Sequence, residues 1–175
     1  ADRMDPKWSR RLMRLAADGG APDAGLRGPA LGEAFHRQSP HLALAADGKT
    51  VLISGARHAV FKAAWREDAA VEPFVGRPGR PGADDAHLKN PRGICVGPEG
   101  NLYVADRGNH RIVCFDPSGK AVGKLAVEWP LYVAVHPRSG AIYAVCGYRT
   151  YRLVKFSGLK ASTALRGSTA SSTTR

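Results

Sequence analysis

The stretch NPRGICVGPEGNLYVADRGNHRIVCFD, residues 90–116, decides the fold. It holds three short apolar runs, at 93–96, 102–105 and 112–115. Pro98, Glu99, Gly100 and Asn101 part the first two, and Asp106 through His110 part the second and third. Short runs punctuated by Gly, Pro, Asn and Asp are antiparallel strands joined by tight hairpins.

The plan recurs along the chain. WPLYVAVHPRSGAIYAVC at 129–146 repeats residues 90–106, and RLVKF at 152–156 repeats RIVCF at 111–115. Upstream, SPHLALAADGKTVLISG at 39–55 is a more diverged copy, with AVFK at 59–62 as its third strand. Pro40, Pro91 and Pro130 open three units about forty to fifty residues apart, a period that marks propeller blades. The longer first interval is taken up by GRPGRPGADD at 76–85, which reads as a connection between blades. Expected fourth strands lie at 71–75 and 122–127, on the outside of their blades.

Pro91, Gly93, Gly100, Asn101, Tyr103, Asp106, Asn109 and His110 together resemble one NHL repeat, the blade unit of a β-propeller. The resemblance implies an all-β fold of NHL-type blades, as part of a six-bladed ring. RLMRLAADG at 11–19 aligns with RIVCFDPSG at 111–119 and is expected to be the last strand of a truncated preceding blade. A short amphipathic helix over 8–17 is the competing reading. The organisation expected is therefore 1–19 as that strand, 20–38 as an inter-blade loop, 39–75 as blade 1 and 76–89 as a second loop. Blade 2 covers 90–127, blade 3 covers 128–161, and 162–175 is a disordered Ser/Thr-rich tail.

Propellers close only as rings, typically of four to eight blades. Three blades and a strand, starting at Ala1 rather than Met, lead to the expectation of a segment of a longer protein, with association of two half-rings as the alternative. Self-association is expected from an incomplete ring, because its end faces, near Leu12, Met13 and Leu15 and near Leu153 and Phe156, lack neighbouring blades.

The 175 residues suffice for one domain with a core, and 20 Gly with 12 Pro suit a turn-rich β chain. No apolar run approaches the roughly 20 residues of a membrane-spanning helix. Nothing in the composition assigns a compartment. Cys95, Cys114 and Cys146 contain no Cys-x-x-Cys spacing and read as small buried hydrophobes, with a Cys95–Cys114 disulfide the alternative.

Charge is concentrated at one end. The net is +11, and residues 129–175 carry seven basic residues and no acidic one. GYRTYR at 147–152 interleaves Tyr148 and Tyr151 with Arg149 and Arg152. Such a combination can hold phosphates and stack bases, as in single-stranded RNA binding on a basic face. The alternative is a solvated hairpin whose tyrosines cover the blade edge.

Catalytic chemistry has one lead. PHLAL at 40–44 is similar to the opening segment of the peptidyl-hydroxyglycine amidating lyases, NHL-type propellers that hold a metal with channel histidines. That resemblance makes His41 a weak candidate metal ligand, but the matching positions, Arg92 and Leu131 or Tyr132, supply no second imidazole. His110 is expected to pack on its own hairpin, His136 to sit in a turn with Pro137, and Asp106 to accept the backbone N–H groups of Gly108 and Asn109. Gly76 to Gly82 lacks the Lys-Ser/Thr of a phosphate loop.

The reading leans away from an enzyme and expects neither cofactor nor metal. It favours a scaffold binding a protein or peptide through the loops that open the blades, with Arg92, Arg107 and Tyr132 as contacts. RNA binding by the basic third blade is the alternative. A channel-centred lyase or hydrolase with its other ligands elsewhere is a further one.

Overall fold

Turn chemistry sets the strand boundaries in the computed structural model, which describes residues 40–159 except Glu67, together with the strands Arg11–Met13 and Arg27–Ala30. The Asp47 carboxylate accepts the backbone N–H groups of Lys49 and Thr50, each at 2.8 Å, while Gly48 takes a φ of +65°. Asp116 accepts those of Ser118 at 2.9 Å and Lys120 at 3.0 Å, with Gly119 at +90°. Side-chain acceptors of this kind satisfy the backbone where the chain reverses.

The strands in chain order begin with β1 (Arg11–Met13) and β2 (Arg27–Ala30). Blade 1 follows as β3 (His41–Leu44), β4 (Thr50–Ala56), β5 (Ala59–Ala64) and β6 (Glu72–Gly76). Blade 2 comprises β7 (Pro91–Val96), β8 (Leu102–Asp106), β9 (Arg111–Phe115) and β10 (Ala121–Ala126). A 3₁₀ turn, Arg107–Asn109, joins β8 to β9. Blade 3 has β11 (Pro130–Val135), β12 (Ile142–Gly147) and β13 (Tyr151–Phe156).

Each blade is an antiparallel sheet in which strands consecutive in sequence are neighbours. The expected fourth strands are β6 and β10, each displaced by one residue. Blade 3 has three strands among the described residues. At the N-terminus, β1 takes the extended form rather than the competing helix, and it pairs with β2. The loop expected over 20–38 is thus corrected: it contains a strand that supplies the partner for β1. The rest of 1–38, including Leu15, and the tail at 162–175 lie outside the described residues.

Alternation along the strands builds the core between blades, not within them. Leu52, Val60 and Val75 of blade 1 pack on Ile94, Leu102, Val104, Val113 and Phe115 of blade 2. The opposite face of blade 2, with Tyr103, Ala105, Ile112, Cys114 and Leu125, packs on Val133, Ile142, Ala144, Cys146 and Phe156 of blade 3. The first strands β3, β7 and β11 lie against one another and form a common inner edge. Gly93 permits this approach. A Cβ there would sit 2.7 Å from the carbonyl oxygen of Leu131 and 2.7 Å from the Cα of Tyr132.

The expected open face of blade 3 is half corrected. Leu153 is 70% exposed, but Phe156 is buried against blade 2. Residues 153 and 156 are an odd number apart, so they occupy opposite faces of β13.

Candidate functional site

Asp106 ends β8 with no exposure to solvent. One carboxylate oxygen accepts the Lys89 backbone N–H at 2.7 Å. The other accepts Asn109 Nδ2 at 2.7 Å and Arg111 Nε at 2.8 Å. The remaining Arg111 nitrogens donate to the carbonyls of Ala83 at 2.6 Å and of Asp84 and His87, both at 2.9 Å. Asn109 also donates to Gly82 at 2.7 Å. Asp106 therefore anchors the 76–89 loop to the blade, and its expected backbone donors, Gly108 and Asn109, are replaced by Lys89 and two side chains. Instead, Gly108 N–H donates to the Lys89 carbonyl at 2.8 Å, and a Cβ at Gly108 would come within 2.7 Å of that oxygen.

A second cluster joins blade 2 to blade 3. Arg107 is buried, and its guanidinium donates to the carbonyls of Trp129 at 3.0 Å and Gly147 at 2.9 Å. Its carbon lies 5.2 Å from the centroid of the Trp129 ring. Two donors of Arg107, one of the expected partner contacts, are thus held by the next blade. His110 packs edge-on against Trp129 at 4.3 Å, and its Nδ1 accepts the Trp129 N–H at 3.3 Å. Its ring thus contacts the next blade, contrary to the expected packing on its own hairpin.

Blade 1 uses the same latch. His58 Nδ1 accepts the Asn90 N–H at 3.1 Å. His58 and His110 have φ of +65° and +53°, and their partners Asn90 and Trp129 both have +51°. Each histidine precedes a third strand, and each partner precedes the proline opening the next blade. Sequence reading missed this repeated pair, whose two members are separated by different lengths of chain, 32 and 19 residues.

The inner edge brings together His41, Arg92 and Tyr132. Counting from the pairs Leu44↔Val51, Val96↔Leu102 and Val135↔Ile142, His41, Gly93 and Tyr132 hold equivalent positions. Arg92 falls within the register shift between Pro91 and Ile94, so the expected equivalence of His41 with Arg92 is corrected by the bulge. The rings of His41 and Tyr132 meet edge-to-face at 5.4 Å. The buried hydroxyl of Ser54 donates to the Arg92 carbonyl. Burial, and then the positive charge of Arg92, lower the His41 pKa. Arg92 Nε is buried without a hydrogen-bond partner among the described residues.

The basic hairpin is open to water. Tyr148 is 69% exposed and Tyr151 66%, so they do not cover the blade edge. Arg149 is exposed without a described ion pair, whereas Arg152 reaches Glu128 at 3.2 Å. The Tyr148 ring tilts against Trp129 at 5.6 Å, linking the hairpin to the opening of blade 3.

No group of three or more His, Cys, Asp or Glu gathers at metal-binding distance among the described residues. His136 caps the turn after β11, its Nδ1 accepting the Ser139 N–H at 3.2 Å. All three cysteines are free thiols. Cys95 and Cys114 pair with Tyr103 from opposite sides. Two strand spacings put their Cα atoms about 9–10 Å apart, beyond the roughly 7 Å that a disulfide spans. Burial pushes the Cys95 thiol up to about 12 and the Cys114 thiol to about 11, so both are inert at neutral pH. No helix among the described residues is long and apolar enough to cross a membrane.

The NHL repeat family model matches residues 88–115. Protein lin-41 of Caenorhabditis elegans is 44% identical over 46 residues, which cover 26% of this chain and 4% of that protein. Peptidyl-glycine alpha-amidating monooxygenase of Mus musculus is 37% identical over 92 residues, 51% of this chain and 9% of that protein. The chain thus spans less than a tenth of either curated relative. Among solved structures, the XC5397 gluconolactonase of Xanthomonas campestris aligns with a TM-score of 0.58 at 20% identity, covering 82% of this chain and 44% of that one. At that identity the likeness carries the fold alone. The chain is built of β-propeller blades and carries an NHL repeat at residues 88–115.

Proposed function

We propose that the chain is a non-catalytic scaffold that binds a protein or peptide across the loops opening blades 2 and 3. The observation carrying this is an exposed aromatic surface held in place by bonds between blades. Trp129 and Tyr132 are 40% and 53% exposed on a strand opening that Arg107 and His110 clamp from below. Large, well-held aromatic rings lose little entropy on binding and dominate interface energetics. The nearby ionisable groups favour a structural role: Asp106 is spent on Arg111, and His58 and His110 accept backbone N–H groups.

The test uses a peptide selected against the folded chain from a random display library. Trp129→Ala and Tyr132→Ala should each weaken that peptide at least about tenfold, as hot-spot residues do. Selected peptides indifferent to both changes would place binding elsewhere and contradict the reading.

Two other readings have support. Exposed Tyr148, Arg149 and Tyr151 favour single-stranded RNA on the third blade. Such binding would fall steeply with salt and lose slope when Arg149 and Arg152 are replaced. The match to the mouse amidating enzyme over 51% of the chain favours a channel-centred lyase, for which His41 is the candidate metal ligand.

A further inference from the structure

We propose that Arg57, Arg77 and Arg80 form a receptor for one phosphomonoester, carried by a phosphorylated side chain of the bound protein. The inference rests on the scaffold reading and adds the chemistry of the partner. Residues 77–80 make a hydrogen-bonded turn in which the Arg80 N–H donates to the Arg77 carbonyl at 3.0 Å. Pro78 followed by Gly79 at a φ of +76° suits the type II form. The Gly79 N–H donates to the Arg57 carbonyl at 2.8 Å, which ties this turn to the hairpin between β4 and β5. The Arg57 guanidinium comes to 4.0 Å from the point where a Gly79 Cβ would stand. The turn thus gathers Arg57, Arg77 and Arg80 around one glycine.

All three arginines are exposed, and none makes an ion pair among the described residues. The carboxylates of the same loop are engaged elsewhere, Asp84 with His87 at 2.7 Å and Asp85 with Lys124 at 3.2 Å. Like charges held close together repel, and a bound anion removes that repulsion. The loop is fixed on both sides of the turn. Gly76 pairs with Ala59, while Asn109 and Arg111 bind the carbonyls of Gly82, Ala83, Asp84 and His87. It runs from β6 into β7, so the arginines lie at the end of the sheets where blade 2 opens. One arginine satisfies a carboxylate through two parallel N–H···O bonds, whereas a phosphomonoester offers three oxygens and close to two charges. Single-stranded RNA is held by aromatic stacking as well as charge, and residues 76–89 contain no Phe, Tyr or Trp.

The experiment titrates the folded chain with acetyl-Gly-phosphoserine-Gly-amide and follows the arginine side-chain N–H signals and the Gly79 amide by NMR. The signals of Arg57, Arg77, Arg80 and Gly79 should shift together and saturate. Affinity should rise as the pH passes the second phosphate pKa of about 6. The Ser peptide should leave these signals unmoved, and the Glu peptide should bind at least about tenfold more weakly. Arg77→Gln and Arg80→Gln should each weaken the phosphopeptide about ten- to a hundredfold, the range for charge-assisted bonds. Both positions are exposed, so the Asn90 amide held by His58 should keep its chemical shift in either variant. Arginine signals indifferent to the phosphopeptide would overturn the site, as would equal binding of the Ser or Glu peptide. Inorganic phosphate should move the same signals only at higher concentration; equal binding would make the free ion the ligand and overturn the assignment to a partner. Oligouridylate binding more tightly than the phosphopeptide would assign the arginines to nucleic acid and overturn it equally. The scaffold reading fails separately, since its display peptides carry no phosphate and its variants lie at Trp129 and Tyr132.

Discussion

Asp106→Ala is expected to cost about 3–5 kcal/mol, the range for stripping one partner from a buried ion pair. The change removes the counter-charge of Arg111, orphans the Lys89 N–H and takes one of the two acceptors of the Asn109 amide. Domains are stable by only about 5–15 kcal/mol, so the variant should be partly unfolded near physiological temperature. Asp106→Asn keeps the shape and one acceptor oxygen but loses the charge, and should fall between the two. Urea unfolding monitored by the tryptophans gives the comparison. The loop at 76–89 should also become the first site of proteolysis, because Arg111 holds three of its carbonyls. A midpoint within experimental error of the wild type would show that the cluster is peripheral to folding.

The exposed end face of blade 3 should drive self-association. Leu153 corresponds in register to Ile112, which blade 3 covers completely in blade 2. At the other end of the wedge, Leu42 and Leu44 of β3 are 48% and 55% exposed. Burying one leucine contributes about 1.5–3 kcal/mol, so Leu153→Glu should weaken association by roughly tenfold to a hundredfold. Analytical ultracentrifugation across a concentration series measures this directly. Wild-type protein that stays monomeric at every concentration would show that these leucines are tolerated at the surface.

The blades were legible because their determinants are local. Gly-bearing turns, X-Pro openings and period-two runs recur in the same order in each unit, and strands follow from them with boundaries off by about one residue. The site was harder to read because its bonds are long in sequence. Arg107 opens a conspicuous turn and looked free, but its acceptors lie at Trp129 and Gly147, in the next blade. Asp106 likewise binds backward to Lys89. The placement of Arg92 depended on a bulge, which apolar patterning does not reveal. Phe156 was a different failure: strand parity alone separates it from Leu153. The paired His58–Asn90 and His110–Trp129 latches share no common spacing in sequence, and only the folded chain brings their ends together.

Amide hydrogen exchange tests most directly whether the chain is a set of propeller blades locked by these inter-blade bonds. The slowest amides should lie in the middle strands, at Ile53, Val104, Val113 and Ala144, whose side chains are almost wholly buried. The sharper result concerns two amides outside the strands. Lys89 and Trp129 N–H should exchange far more slowly than their loop neighbours, because Asp106 and His110 hold them. Protected middle strands with Lys89 and Trp129 exchanging at free-loop rates would leave the blades but contradict the lock. Fast exchange throughout β8 and β9 would contradict the propeller itself.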